Sequence, residues 1–317
     1  MIPLTIMLFK SVIVLVFLAV TTMFLVYLER KVSAHFQVRY GPMRVGWHGS
    51  LQLVADAFKL LMKEDIIPKM ADKWVFLTAP VLVFVSAYLA YLVIPFSPIL
   101  VVKDLNVGLL YVIGVTSLTV LAILMAGWSS NNKYALLGGL RAVAQIISYE
   151  IPLILSIIPV IMLAGSLSLN RIVAAQNNLP FILLQPLGFL LYLLSATAEV
   201  NRTPFDIPEA ESELVAGYNI EYSGMRFVMF FFAEYLNMFT VCALATTLFL
   251  GGWQGPFLPA PVWFFLKTYF LVLVLMWMRW TLPRLRIDQL MNFCWKGLLP
   301  LSLINLILTA LWMVIYG

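Results

Sequence analysis

The sequence predicts an all-α integral membrane protein of about eight transmembrane helices plus one interfacial amphipathic helix, with both termini on the non-cytoplasmic side. Three observations predict it. Of the 317 residues, 62% are apolar and only 11% are charged, whereas a soluble domain carries about 25% charged residues. So few charges cannot solvate a protein of this size in water. Apolar stretches of roughly 20 residues, the length that crosses a bilayer, recur along the whole chain. Lys and Arg, finally, divide unevenly between the connections.

The eight spans read as about 8–28, 74–94, 107–127, 146–165, 180–198, 227–250, 262–282 and 298–316. Pro152, Pro159 and Pro186 interrupt the fourth and fifth; membrane helices tolerate proline where neighbours or polar side chains satisfy the freed carbonyl. Connections 29–73, 128–145, 199–226 and 283–297 share one side. Together with Arg279 they hold 16 of the 20 Lys and Arg, against Lys10, Lys103, Arg171 and Lys267 on the other side. The rich side is assigned to the cytoplasm, and an even helix count then sets both termini outside. The first span has no small-residue cleavage site and runs into Glu29-Arg30-Lys31, so it reads as a retained helix rather than a signal peptide.

Within 29–73, Leu51, Val54, Ala55, Phe58, Leu61 and Met62 recur at helical spacing, opposite Gln52, Asp56, Lys59 and Lys63. A helix over about 50–63 is too short to span and is expected at the interface. A plain surface anchor has the same pattern. With no soluble segment or repeat, residues 1–317 read as a single membrane domain. The net charge of +5 follows this topology and gives no ground for nucleic-acid binding. Cys242 and Cys294 form no CxxC pair, and His35 and His48 fall in one loop. Neither a metal site nor a haem held across the bilayer is expected.

Six of the fifteen carboxylates lie in the loop 199–226: Glu199, Asp206, Glu209, Glu211, Glu213 and Glu221. Pro208 suits the first turn of a short helix with Asp206 near its N-terminus, which sets Glu209 and Glu213 one turn apart. Close like charges and burial raise a carboxyl's pKa, so such a cluster can hold protons near neutral pH. A solvated acidic loop is the plainer alternative. Against it stand the Pro, Phe, Leu and Val of the loop, and acids that run counter to the basic character of their side. Glu234 lies inside the sixth span, where a charge costs about 2.5–3.5 kcal/mol on insertion scales. It is expected to be neutral, paired or facing water, with Asn237 and Thr240 extending a polar stripe. A hydrogen bond between helices and a proton relay both fit it. Glu150 opens the fourth span after Tyr149, with Arg141, Gln145 and Ser148 upstream on one face; it reads equally as an interface flank, Glu29 reads by default as one, and Glu64 as a solvated loop corner. Ranked by depth, the acids form a line from the loop toward the bilayer centre, as in proton pathways. A transporter with a carboxylate site has the same features.

The ordered motifs narrow the reading. Glu29-Arg30-Lys31, Arg39-Tyr-Gly-Pro42 and Leu51-Gln52 through Lys63-Glu64 are followed by Gly127-Trp-Ser-Ser-Asn-Asn-Lys133, Leu140-Arg141-Ala-Val-Ala-Gln145 and Ser148-Tyr149-Glu150. Then come Asn201-Arg202-Thr-Pro-Phe205-Asp206, Glu211-Ser-Glu213-Leu, Asn219-Ile-Glu221-Tyr and Leu282-Pro-Arg284-Leu-Arg286-Ile-Asp288. Over essentially the whole chain this set resembles the H subunit, also called subunit 1, of proton-translocating NADH:quinone oxidoreductase (respiratory complex I).

The resemblance implies a membrane subunit that forms much of the quinone-access tunnel, anchors the peripheral arm and couples quinone reduction to proton translocation. The tunnel would open to lipid between the first and sixth helices and the interfacial helix. Glu29, Arg30, Arg39, Asp56, Glu64, Arg202, Phe205, Asp206, Arg284 and Arg286 would belong to the tunnel and its loops. Glu150, Glu199, Glu209, Glu211, Glu213, Glu221 and Glu234 would be the proton-coupling carboxylates. Quinone, either ubiquinone or menaquinone, would be the substrate. The chain would hold no catalytic residue, redox centre or metal of its own, with FMN and iron–sulfur clusters in partner subunits. Those partners would be the peripheral quinone-site and iron–sulfur subunits and adjacent small membrane subunits. The setting would be the bacterial cytoplasmic (inner) membrane rather than the mitochondrial one. A membrane anchor of a related energy-conserving hydrogenase and an independent cation/proton transporter are the competing readings.

Overall fold

The structure is a computed structural model and describes residues 4–208 and 215–316. Every regular element among them is helical. Seven helices are long and apolar enough to cross a membrane, and an eighth, shorter one joins them. The chain is thus an all-α, multi-pass membrane protein.

The first helix, α1 (Leu4–Phe36), is longer than its apolar stretch. Glu29, Arg30 and Lys31 do not end it, because each finds a partner within the protein. Lys31 Nζ, for instance, donates to the Pro42 carbonyl at 2.8 Å. The chain leaves α1 through Val38 at φ 51°, while the Arg39 N–H still reaches the Ala34 carbonyl. The interfacial helix α2 (Gln52–Leu61) follows. No residue of it is buried, and Leu51, Phe58 and Leu61 are exposed. That leaves an apolar face for the membrane surface. Next come α3 (Lys73–Ala90), then α4 (Gly108–Thr116) and α5 (Leu118–Ser129), which form one span bent at Ser117.

The fourth span extends further toward the loops than its hydropathy indicates. Helix α6 (Lys133–Ala164) starts where Asn132 caps it, Oδ1 accepting from the Tyr134 N–H at 2.9 Å. One face of its loop-side turns is sheathed in protein, with Ala135, Gly138, Gly139 and Ala142 buried, while Leu137 and Leu140 on the other face are exposed. Gly138 and Gly139 allow that sheath to come close: a Cβ on Gly138 would stand 2.6 Å from the Gly217 Cα. Pro152 and Pro159 lie inside α6 without ending it. Glu150 therefore sits well inside a helix rather than at its start. The helix stops at Gly165, at φ 63°, a left-handed conformation that only glycine adopts freely.

The fifth span is broken. After α7 (Leu169–Ala175), α8 (Phe181–Leu184) and α9 (Pro186–Glu199) meet at Gln185. Proline at the first helical position starts α9 but cannot continue α8. The 14 residues of α9 reach only about 21 Å. Polar side chains brace the break: Gln185 donates to Thr309 at 2.8 Å and accepts from Asn305 at 3.1 Å.

Helix α10 (Gly224–Phe249) is the centre of the bundle, buried almost continuously from Met238 to Phe249. Tyr91 and Tyr192 donate to its Leu236 and Val241 carbonyls. Helix α11 (Ala260–Thr281) packs beside it, joined by Thr268 to Thr246 at 3.2 Å. Ser86 and Thr119 pair similarly at 3.0 Å. Such hydroxyl bonds and close packing hold helices together where lipid removes the hydrophobic drive. Last, α12 (Ile287–Asn292) passes through a π-helical turn at Phe293–Leu298 into α13 (Leu299–Tyr316).

Candidate functional site

The charged loops meet the ends of α1, α3, α6, α9, α10 and α11 on one face of the bundle. Arg202 lies at the centre, in the turn after α9, and is 3% exposed. Its Nη1 stands 3.0 and 3.1 Å from the two carboxylate oxygens of Glu29 on α1. Its Nη2 lies 3.0 Å from Glu234 Oε1 on α10 as an ion pair, and the guanidinium stacks 4.6 Å from the centre of the Tyr235 ring. Arg279, near the end of α11, bonds Glu29 as well. Two arginines and two carboxylates from four parts of the chain thus form one cluster. Burial alone would favour neutral Arg202, but Glu234 and Glu29 outweigh it and push the guanidinium pKa up. Arg202 is a fixed positive charge at the inner end of the loop.

Gln145 of α6 holds that loop in place. Its Nε2 lies within hydrogen-bonding distance of the Ala198 carbonyl, Asn201 Oδ1 and the Phe205 carbonyl, at 2.7–3.0 Å. Phe205 is buried against Tyr149 and Phe293. Tyr149 in turn donates to the Leu290 carbonyl at 2.9 Å, and Cys294 to that of Ser148 at 3.1 Å. Asp206 pairs with Arg284 at 3.1 Å. The last loop, the segment 198–206 and α6 are therefore one packed unit.

Glu150 and Glu199 line one internal cavity of about 40 Å³ with Thr116, Tyr192, Asn237 and Thr240. A water needs about 10–15 Å³ of such space, so the cavity has room for about two to four. Glu221 accepts from Asn132 at 2.7 Å. Next to it, Tyr222 stacks on Phe76, the rings 4.1 Å apart and nearly parallel. Burial pushes the Tyr222 hydroxyl up to about 12, so it stays a donor at any physiological pH.

At the rim, Arg30 bonds Asp56 at 2.6 Å, and Gln52 reaches the other Asp56 oxygen at 3.0 Å. The pair ties α1 to α2. Partial burial opposes its ionisation, but the bonds from Arg30 and Gln52 and the charges of Arg30 and Lys59 hold the Asp56 carboxyl below the usual range. Its stabilising contribution is therefore complete above pH of about 3.9 and disappears as pH falls through the lower folded value. Because Arg30 is 42% exposed on its side chain, Asp56→Asn is expected to cost less than about 1 kcal/mol at neutral pH. Thermal shift of the purified complex between pH 3 and pH 7, wild type against variant, checks this: the difference should shrink toward the acid end.

Other residues singled out in the sequence stand apart. Arg39 is exposed and bonds Gln37. Glu64 is exposed, its carbonyl accepting from Ser223. Arg286 is exposed beside Asp288. Glu209, Glu211 and Glu213, with the short helix expected after Pro208, lie outside the described residues. Two participants escape the sequence reading. Arg279 enters it only through its charge, because an arginine in the last turn of a membrane helix ordinarily snorkels to the interface. The second is Arg226, which pairs with Asp65 at 3.1 Å across 161 residues with no sequence cue.

Along α1 and α10 runs an apolar groove of about 230 Å³, lined by Leu15, Leu18, Phe84, Val228 and Phe232. Among the described residues no cluster of His, Cys, Asp and Glu is arranged to hold a metal.

Fold and site together define a polytopic helical membrane protein that buries ion pairs between its spans and one set of loops. The family model described as NADH dehydrogenase matches residues 9–310. The NADH-quinone oxidoreductase H subunit of Dehalococcoides mccartyi (strain CBDB1) is 57% identical, across 93% of this chain and 83% of its own length. The H subunit of Syntrophotalea carbinolica is 52% identical across 93% and 92%, and that of Geobacillus kaustophilus 54% across 92% and 90%. The chain belongs to the family of NADH-quinone oxidoreductase H subunits.

Proposed function

We propose that this chain forms much of the quinone-access tunnel of a bacterial complex I, anchors the peripheral arm and couples quinone reduction to proton translocation. The observation that carries the reading is the Arg202 cluster. It joins Glu29 on α1 and Glu234 on α10, the two helices between which the tunnel is expected to open. The apolar groove along the same helices suits an isoprenoid tail. Quinone reduction consumes two protons, and the carboxylates at and below the cluster are suited to supply them. Glu150 and Glu199 share a cavity with room for water, a conduit of the kind a proton relay requires. The exposed loop 37–50 and the arginines of the last loop are suited to meet peripheral iron–sulfur and quinone-site subunits; small membrane subunits would cover other faces. Ubiquinone or menaquinone would be the substrate, with FMN and iron–sulfur clusters on the partners, in a bacterial cytoplasmic membrane.

The test is Glu234→Gln, which keeps size and removes charge and proton. NADH:quinone reductase activity of the assembled complex is expected to fall about 100-fold, the lower end of what a positioned proton carrier contributes. NADH oxidation by an artificial acceptor that bypasses quinone should stay at the wild-type level. Wild-type quinone reduction in a fully assembled variant contradicts the proposal.

A further inference from the structure

The bundle face opposite the charged loops carries few basic side chains, and their situations differ. Lys267 is committed to the protein: its Nζ donates to the carbonyls of Leu250, Gly252 and Gln254 at 2.6–3.1 Å, closing the end of α10. Lys10 is not. Among the described residues its ammonium makes one long hydrogen bond, 3.3 Å to the Val101 carbonyl. An ammonium has three donors, so Lys10 keeps donors for further acceptors at this rim.

Lys10 stands at the rim of an apolar groove of about 290 Å³ between α1, α11 and the segment 96–102. The walls are Ile13, Val14, Phe17, Phe96, Leu100 and Phe265. Ile13 and Leu100 are more than half exposed, so the groove opens sideways out of the bundle. Lys103, two residues past the carbonyl that Lys10 touches, is exposed. The neighbouring Asp104 accepts from Ser168 at 3.2 Å. We infer that the groove holds an acyl chain of an anionic phospholipid in this leaflet, its phosphate bound by Lys10. Hydrocarbon suits the walls, and a phosphate gives the ammonium the acceptors it lacks, with lysine acting as a point charge. A neutral quinone leaves Lys10 uncompensated. A zwitterionic headgroup brings the phosphate but cancels its charge.

The test uses the assembled complex and two photoreactive lipids with the same diazirine-bearing acyl chain, one phosphatidylglycerol and one phosphatidylcholine. Phosphatidylglycerol is expected to label peptides spanning 13–17 and 96–101 roughly fivefold more strongly, the effect of one lysine near a membrane surface. Lys10→Gln should bring its labelling down to the phosphatidylcholine level, and Lys10→Arg should keep it. Equal labelling by the two lipids in the wild-type complex overturns the inference, however the variants assemble. So does an absence of lipid labelling there, which means a protein covers the groove. Displacement of the lipid by excess long-tail quinone likewise overturns it and assigns the groove to the quinone tail.

Discussion

Replacing Arg202 with alanine is expected to abolish NADH:quinone reductase activity and to cost the membrane subunit about 3–5 kcal/mol, the penalty for breaking a buried ion pair from one side. The geometry sets where the damage falls. Glu29 keeps Arg279, but Glu234 loses the guanidinium 3.0 Å from it and is left beside another carboxylate. A carboxylate isolated in this way takes up a proton instead of staying charged. The loop after α9 also loses its tie to Glu29 on α1, which among the described residues Arg202 carries. Arg202→Lys should recover part of the stability but little of the activity. A single ammonium cannot serve Glu29 and Glu234 with the spread of a guanidinium. Native-gel quantitation of assembled complex, alongside quinone reductase and artificial-acceptor rates, reads both effects.

Gly138→Ala is expected to destabilise the subunit without touching a charged group. The new Cβ would meet the Cα and C of Gly217 at 2.6 and 2.9 Å and the Tyr218 nitrogen at 3.0 Å. All three are backbone atoms, and Gly217 already sits at φ 58°, so no flexible side chain can give way. The segment must move, and with it the Glu221–Asn132 bond and the Tyr222–Phe76 stack. Overpacking of this kind costs about 1–3 kcal/mol. Gly114→Ala is the control: nothing lies within 4 Å of its Cβ position, and alanine favours the helix by up to about 1 kcal/mol. The melting temperature of the solubilised complex should drop for the first variant and hold or rise for the second.

These residues show which parts of the molecule sequence reasoning reaches. Span positions were legible because lipid imposes one simple rule, about 20 apolar residues per crossing. The break before α9 was legible too, from Pro186. Helix ends on the loop side were not. Hydropathy assumes that a charge faces water or headgroups, so Glu29 and Glu150 read as flanks. Both lie inside helices that continue beyond the apolar stretch, one in an ion pair and the other on an internal cavity. The cluster was legible only in part. Glu234 stood out as an acid inside an apolar span, whereas Arg202 entered only through the ordered motifs. The contacts of Glu29 with Arg202 and with Arg279 join positions 173 and 250 residues apart, and no periodicity reports such a pairing. Gly138 was invisible because a glycine's meaning lies in what approaches it.

The claim that α1 and α10 flank the quinone path is tested most directly by photolabelling the intact complex with a long-tail quinone bearing a reactive group on its isoprenoid chain. The account predicts labelled peptides from α1, α2 and the first half of α10, competed away by unlabelled quinone and reduced in Arg202→Ala. Competable labelling confined to α9 and α13, or none on this chain, would contradict it.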